Sequence, residues 1–165
     1  MNILVPAIVI HGYEDAFTAA TVAQRVDCPL ILISAPGASA YTGIGWFKAL
    51  IEQTSQSISR IEMIGILDCG RRAGDVLAAL RIGIRLIRFT GHEDIFMRLE
   101  GCATQSGTVL LREIGVFLDP SRENDPVLAC HDWLVRHKDR CVTVMRVMSE
   151  LLQSNPQTSL NKGKK

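Results

Sequence analysis

The chain has 165 residues, of which 47% are hydrophobic, 21% are charged and 5% are aromatic. This length suits one domain with a buried core, and the composition excludes a disordered chain, collagen and a small disulfide-rich scaffold. With 18 basic and 17 acidic residues the net charge is +1, so neither nucleic acid nor an anionic membrane is an expected partner, because binding to either depends on positive charge.

Five short apolar segments predict β-strands. They are rich in β-branched residues and almost continuously apolar, which is typical of strands that are covered on both faces of a parallel sheet. In chain order they are Ala7–Ile10, Leu30–Ser34, 61–67, 84–89 and 108–111. The sequence therefore predicts a mostly parallel sheet of about five strands.

Segments with helical spacing alternate with these strands. The first, 14–26, begins with two acidic residues, which suit a helix N-terminus, and the second contains Trp46 and Phe47. The third is predicted to begin with Asp75 as its N-cap, and the fourth begins near Glu93. This alternation predicts right-handed crossovers and a three-layer α/β domain with flanking helices, whose strand order the sequence does not specify.

Residues 126–152 form a longer helical segment. Pro126 suits the first position of a helix, and apolar residues then recur on one face as far as Leu152, with an interruption at Lys138. Two interpretations fit this pattern. The segment is either one helix, about 40 Å long at 1.5 Å per residue, or a pair of helices that breaks near 137–140.

The length of that segment bears on assembly. A single helix would exceed the height of a small sheet, and its second half, 141–152, would then bury its apolar stripe in a homodimer. Alternatively, the segment wraps back over the sheet of its own domain. In both cases the predicted domain covers residues 1–154, and residues 155–165 form a polar tail.

The cysteines and the first residues indicate a cytoplasmic protein. The five cysteines include no CxxC pair, so neither a zinc knuckle nor a thioredoxin motif is present, and no metal site is predicted. No lysine or arginine precedes Arg25, and the apolar stretch 3–10 is too short to span a bilayer. We therefore expect free thiols in a reducing compartment and no membrane partner.

The carboxyl ends of the predicted strands are the expected place for a ligand, because open parallel sheets bind their ligands there. Backbone amides in the glycine-rich loop after the second strand can cradle an anion. The sequence contains neither a Walker A nor a GxGxxG motif, so no cofactor is identified. The candidate ligand-binding residues are His11, Ser34, Gly37, Ser39, Gly43, Gly45, Gly70, Arg71, Arg72 and Thr90.

Arg71 and Arg72 are the predicted anion-binding pair. They precede a helix, so their guanidinium forks and the helix N-terminus would both attract a carboxylate or a phosphate. Alternatively, the two arginines are solvated and form ion pairs with Asp68, Asp75 or Glu93. The sequence does not decide between these interpretations.

Three residues are candidates for catalysis. Asp68 and His92 can transfer protons, and Cys69 can act as a nucleophile. A neighbouring arginine lowers the pKa of a thiol and a neighbouring aspartate raises it, so the pattern leaves the reactivity of Cys69 undecided. The alternative is that Cys69 only packs in the core.

Arg88 stands inside an apolar run. A buried guanidinium needs a partner, and Asp68 or Glu113 at a neighbouring strand end is the natural one. Otherwise the fourth strand is an edge strand, and Arg88 faces water.

The order of Asp68 after the third strand and Thr90 after the fourth, with acidic residues after the first, resembles that of the receiver domains of two-component signalling. The chain departs from those domains because its acidic residues, Glu14 and Asp15, come too late after the first strand. Its fifth strand also ends in Arg112, where such domains have a lysine. The resemblance concerns layout, and no family is assigned.

Two functional hypotheses follow. In the first, the protein binds a small anionic ligand, such as a phosphorylated one, at the carboxyl ends of its strands, and either acts on it as an enzyme or only binds it. In the second, it is a non-catalytic interaction module or a degenerate signalling module that dimerises through its C-terminal helix.

Overall fold

The structure is a computed structural model that describes residues 4–154, so the predicted tail 155–165 lies outside the described residues. The strands are β1 Ala7–Ile10, β2 Leu30–Ser34, β3 Met63–Asp68, β4 Leu86–Arg88, β5 Val109–Leu111 and β6 Phe117–Leu118. The α-helices are α1 Tyr13–Val26, α2 Ile44–Ser57, α3 Ala73–Arg81, α4 Glu93–Gln105 and α5 Pro126–Gln153.

The six strands form one sheet in the order β5-β4-β3-β2-β1-β6, and every neighbouring pair is parallel. The predicted α/β fold with a parallel sheet and flanking helices is confirmed, with six strands where about five were predicted. The order differs from the 2-1-3-4-5 order of doubly wound receiver-type sheets, so the resemblance in layout does not extend to topology.

The two faces of the sheet have different partners because side chains alternate along each strand. From β1 to β5 the crossovers all advance in one direction, and right-handed connections then place α1 to α4 on the same face. This outer face includes Ile8, Leu32 and Ile87, which pack in one buried cluster with side chains of those helices. The inner face includes Val9 and Ile33 and belongs to a second cluster.

The sheet must curl, because a short connector joins its two edges. In a flat sheet β5 and β1, which are four neighbours apart, would be about 19 Å from each other at about 4.8 Å per neighbour. The connector, 112–116, lies between the end of β5 and the start of β6, and Gly115 already donates to the carbonyl of Val5 at 3.2 Å. Four residue steps from Leu111 reach only about 14 Å. Curling brings Leu111, Ile114 and Val5 into one inner cluster.

Residues 126–153 form one helix, which settles the choice between one helix and two. The Asp125 side chain caps it by accepting from the amide of Leu128 at 3.0 Å, and Pro126 occupies the first turn. Lys138, the interruption in the apolar pattern, donates to the carbonyl of Val26 at 2.9 Å, at the end of α1. A lysine at the last carbonyls of a helix satisfies an acceptor that the helix itself leaves free.

The second half of α5 covers the inner face of its own sheet. Val144, Met145 and Met148 are buried there among strand residues such as Ala7 and Ile31. The apolar stripe whose exposure motivated the homodimer prediction is therefore covered within one copy. The homodimer stays a prediction, and it needs a different surface.

Between residues 4 and 154, no helix combines the length and the apolar character that crossing a membrane requires.

Candidate functional site

Asp68, at the end of β3, organises the loops at the carboxyl edge of the sheet. Its buried carboxylate accepts from the amides of Gly37 at 2.9 Å and Gly70 at 2.8 Å through Oδ1. Its own amide donates to Ser34 Oγ at 2.9 Å. Both glycines have positive φ, which lets the two turns aim their amides at one oxygen. These glycines were predicted to bind a ligand, but their amides donate to Asp68 instead.

The other oxygen of this carboxylate, Oδ2, lies 2.6 Å from Arg88 Nη1. This confirms Asp68 as the partner predicted for Arg88, and the edge-strand alternative is wrong because β4 lies between β3 and β5. Donors contact both oxygens and the side chain is buried, so a ligand has little access to the Asp68 carboxylate. The geometry favours a positioning role for Asp68 over the predicted acid–base role.

Arg72 forms the second ion pair near this edge. Its Nε lies 2.7 Å from Asp75 Oδ2, which also accepts from Ser39 Oγ at 2.8 Å. Arg72 is the N-cap of α3, so the prediction of Asp75 as the N-cap is wrong, and Asp75 lies in the first turn. Since the Arg72 side chain is 61% exposed and already paired, it matches the alternative of a solvated arginine at a helix start.

The remaining predicted residues are dispersed along the edge. Arg71 Nη2 lies 3.4 Å from His92 Nε2, and both side chains are exposed. His11 Nε2 lies 3.2 Å from the carboxylate of Asp119, beside the other end of the sheet. Gly43 precedes α2 and Gly45 lies in its first turn, with open space where a side chain would be. None of these residues contributes to the network around Asp68.

Cys69 is fully buried behind this network. Burial raises the pKa of its thiol to about 12, and the nearby carboxylates of Asp75 and Asp68 act in the same direction, against a hydrogen bond with Ser39. At neutral pH the thiol is therefore protonated and shielded, which argues against the predicted nucleophile and supports the packing alternative.

Alkylation tests this conclusion directly. At pH 8 we expect iodoacetamide to modify Cys102, the exposed cysteine, and to leave Cys69 unmodified in the folded protein, because about one Cys69 thiol in ten thousand would be a thiolate. Mass spectrometry of peptides after labelling with and without urea measures both sites. If Cys69 were labelled as fast as Cys102, the prediction that Cys69 is a nucleophile would stand again.

A polar cavity of about 290 Å³ lies at the carboxyl ends of β4 and β5. Its lining consists of Arg88, Thr90, Arg112, Glu113 and Ile114. Two buried guanidinium atoms here, Arg88 Nε and Arg112 Nη1, donate no hydrogen bond to any of the described residues. Arg112 Nη1 still has the Glu93 carboxylate within ion-pair distance, so of these two atoms only Arg88 Nε lacks both a hydrogen bond and an ion-pair partner among residues 4–154.

Arg112 is held from two other sides. Its Nη1 lies 3.0 Å from Glu93 Oε2, close enough for an ion pair but without a hydrogen bond, and its guanidinium sits 5.5 Å above the ring of Phe96. The aromatic face and the first turn of α4 thus fix the side chain at the cavity. Sequence reasoning identified Arg112 only as a residue that leaves the fifth strand. The sequence does contain a signal for Arg112. It directly follows the fifth predicted strand, and the fourth contains the unusual Arg88.

A second cavity, of about 240 Å³, lies at the amino ends of β3 and β4. It is mostly apolar, with Phe47 and Ile51 on one side and Leu152 on the other. Its cationic side chains already have acceptors, since Lys48 donates to the carbonyl of Ile82 and Arg85 to that of Leu152, each at 2.8 Å. The more polar cavity, lined by Arg88 and Arg112, is the better candidate site for an anion.

Among residues 4–154, no three side chains of histidine, cysteine, aspartate or glutamate come together as a group that could hold a metal ion.

Comparisons with known proteins address the fold alone. No family model matches the sequence. No curated protein matches it either. Among 51 matching solved chains is a protein from Coccidioides immitis provisionally assigned as a fructose-1,6-biphosphate aldolase, with a TM-score of 0.54 and 14% identity. The match covers 66% of this chain and 40% of that chain, so the likeness extends over less than half of the larger protein.

Proposed function

We propose that the protein binds a small anionic ligand, a carboxylate or a phosphate ester, in the cavity between Arg88 and Arg112. The observation that supports this most directly is the pair of arginine side chains, at the ends of two neighbouring strands, that line one polar cavity. A bound anion would interact with both positive charges at once, and arginine forks suit the oxygen geometry of carboxylates and phosphates.

The position of the cavity agrees with the behaviour of parallel sheets. It lies outside the carboxyl ends of two neighbouring strands, where such sheets place ligands. Arg88 is held by Asp68 and Arg112 by Glu93, so both cations are oriented before a ligand arrives. Preorganised donors lose little conformational freedom on binding, which favours affinity for the anion.

The cavity also holds groups that could recognise the rest of a ligand. The Thr90 hydroxyl can donate to a further oxygen, and the Glu113 carboxylate can accept from a hydroxyl or an amino group. Among the five lining residues, Glu113 carries the one side chain that can serve as a general base. We propose Glu113 rather than Asp68 or His92 as the proton-transfer group if the bound anion is also a substrate.

Arg112→Gln tests the proposal against the earlier prediction of Arg71 and Arg72. We expect at least one anion among inorganic phosphate, sugar phosphates and small carboxylates to raise the melting temperature of the native protein. Arg112→Gln should lower the affinity for that anion roughly 10- to 100-fold in calorimetric titration, because a charge-assisted hydrogen bond contributes about 1.5–3 kcal/mol.

Arg72→Gln is the matched control, since it removes an exposed guanidinium at the same edge of the sheet. Its affinity for the anion should stay within about twofold of that of the native protein. Loss of binding in Arg72→Gln but not in Arg112→Gln would place the site at α3. No binding of any anion would contradict the proposal and favour the non-catalytic interaction module.

A further inference from the structure

Glu113 brings an unpaired negative charge to the polar cavity at the carboxyl ends of β4 and β5. It lines the cavity next to Arg112 and is exposed. The Arg112 guanidinium contacts Glu93 and the ring of Phe96 rather than Glu113. In the part of the chain that the structure describes, no lysine, arginine or histidine forms an ion pair with the Glu113 carboxylate. This carboxylate is therefore free to pair with a positive charge on a ligand.

Carboxylates outnumber cations around the cavity. Arg88 is paired with Asp68 at 2.6 Å. Arg112 is paired with Glu93 at 3.0 Å, so each lining cation is already balanced by one carboxylate. With Glu113 as the third carboxylate, the formal net charge of these five side chains is −1. A ligand with negative charge alone would be attracted by the arginines and repelled by Glu113, because like charges that face each other disfavour association.

We infer that the ligand is a small zwitterion, which carries a protonated amine close to its anionic group. This inference rests on the proposed function, since the anionic group binds Arg88 and Arg112 as proposed above. The amine donates a charge-assisted hydrogen bond to the Glu113 carboxylate. Each charge on the ligand then has a partner of opposite sign in the cavity.

The size of the cavity limits the distance between the two charges of the ligand. Its volume of about 290 Å³ lies just below the usual range for ligand pockets, about 300–1,000 Å³. Because Arg112 and Glu113 line the same small cavity, the amine must lie only a few bonds from the anionic group. An α-amino acid and ethanolamine phosphate both have this arrangement.

Matched pairs of ligands test the inference in calorimetric titrations of the full chain. Alanine is compared with propionate, and ethanolamine phosphate with ethyl phosphate, so that within each pair only the amine differs. In at least one pair we expect the zwitterion to bind about tenfold more tightly or better than its amine-free partner. The pair that shows this difference identifies the anionic group as a carboxylate or a phosphate.

Glu113→Gln separates recognition of the amine from recognition of the anionic group. In this variant the affinity for the zwitterion should fall about tenfold, whereas that for the amine-free partner should stay the same or rise, because the repulsion is gone. Glu123→Gln is the matched control, since it removes an exposed carboxylate outside the cavity, and it should keep the native preference. Circular dichroism checks that both variants fold.

The failure of this inference can be distinguished from that of the proposed function. If the zwitterion and its amine-free partner bind equally well to the native chain, and Arg112→Gln weakens both, the anion site stands and the inference is overturned. A Glu113→Gln chain that loses affinity equally for both ligands overturns it as well. If no anion binds at all, the proposed function fails and the inference fails with it.

Discussion

Replacing Asp68 with alanine should lower the free energy of unfolding by about 3–5 kcal/mol, the largest loss expected from a single polar substitution in this protein. The change leaves the Arg88 guanidinium without its partner and the amides of Gly37 and Gly70 without an acceptor. For a domain of this size the melting temperature should fall by roughly 10 °C, measured by differential scanning calorimetry.

Two further variants separate the ion pair from the rest of the network. Arg72→Ala removes an exposed ion pair and should cost at most about 1 kcal/mol. In a double-mutant cycle, Arg88→Met should recover part of the cost of Asp68→Ala, because the unpaired buried cation is then gone. Equal losses in Arg72→Ala and Asp68→Ala, with strictly additive effects, would contradict the central role of Asp68.

A chain that ends at Arg140 should fail to unfold cooperatively, because it lacks the residues that cover the inner face of the sheet. Val144, Met145 and Met148 each contribute about 1.5–3 kcal/mol by burial, and the strand residues beneath them would become exposed as well. Together these losses are comparable with the whole stability of a typical domain, about 5–15 kcal/mol. Thermal melts followed by circular dichroism, with binding of a hydrophobic dye, measure the effect.

A chain that ends at Ser154 is the control for shortening as such, since it keeps all of α5. It should melt cooperatively. Met148→Ala is a milder test of the same contact, with an expected cost of about 2–5 kcal/mol from the cavity that it leaves. A cooperative melt of the chain that ends at Arg140, at an unchanged temperature, would show that α5 does not support the sheet.

The two fully buried strands, β1 and β2, were predictable from the sequence. Ala7–Ile10 and Leu30–Ser34 agree residue for residue, because runs that are apolar on both faces have few alternatives. β6 was missed, since Phe117–Leu118 is too short to show a period. The curl and the strand order depend on contacts between distant segments, such as Gly115 with Val5, which no local pattern encodes.

The edge of the sheet at which the candidate site lies was predictable from the sequence, but the residues that line it were not. The proposed cavity lies at the edge of the sheet that the rule for parallel sheets predicts, and the partner of Arg88 followed from the cost of a buried cation. Arg71 and Arg72 attracted the anion prediction because they are adjacent in sequence. The cavity instead joins Arg88 with Arg112, which lie on different strands, so their proximity depends on the register of β4 with β5.

The cover of the inner face by α5 has a consequence for synthesis of the protein. Each of α1 to α4 can dock on the sheet soon after it is made, because it follows its own strand, but α5 is the last of the described elements to leave the ribosome. Until then one whole side of the sheet has no helix over it. A ribosome that stalls before residue 141 therefore presents an apolar surface to chaperones, and release at that point favours aggregation.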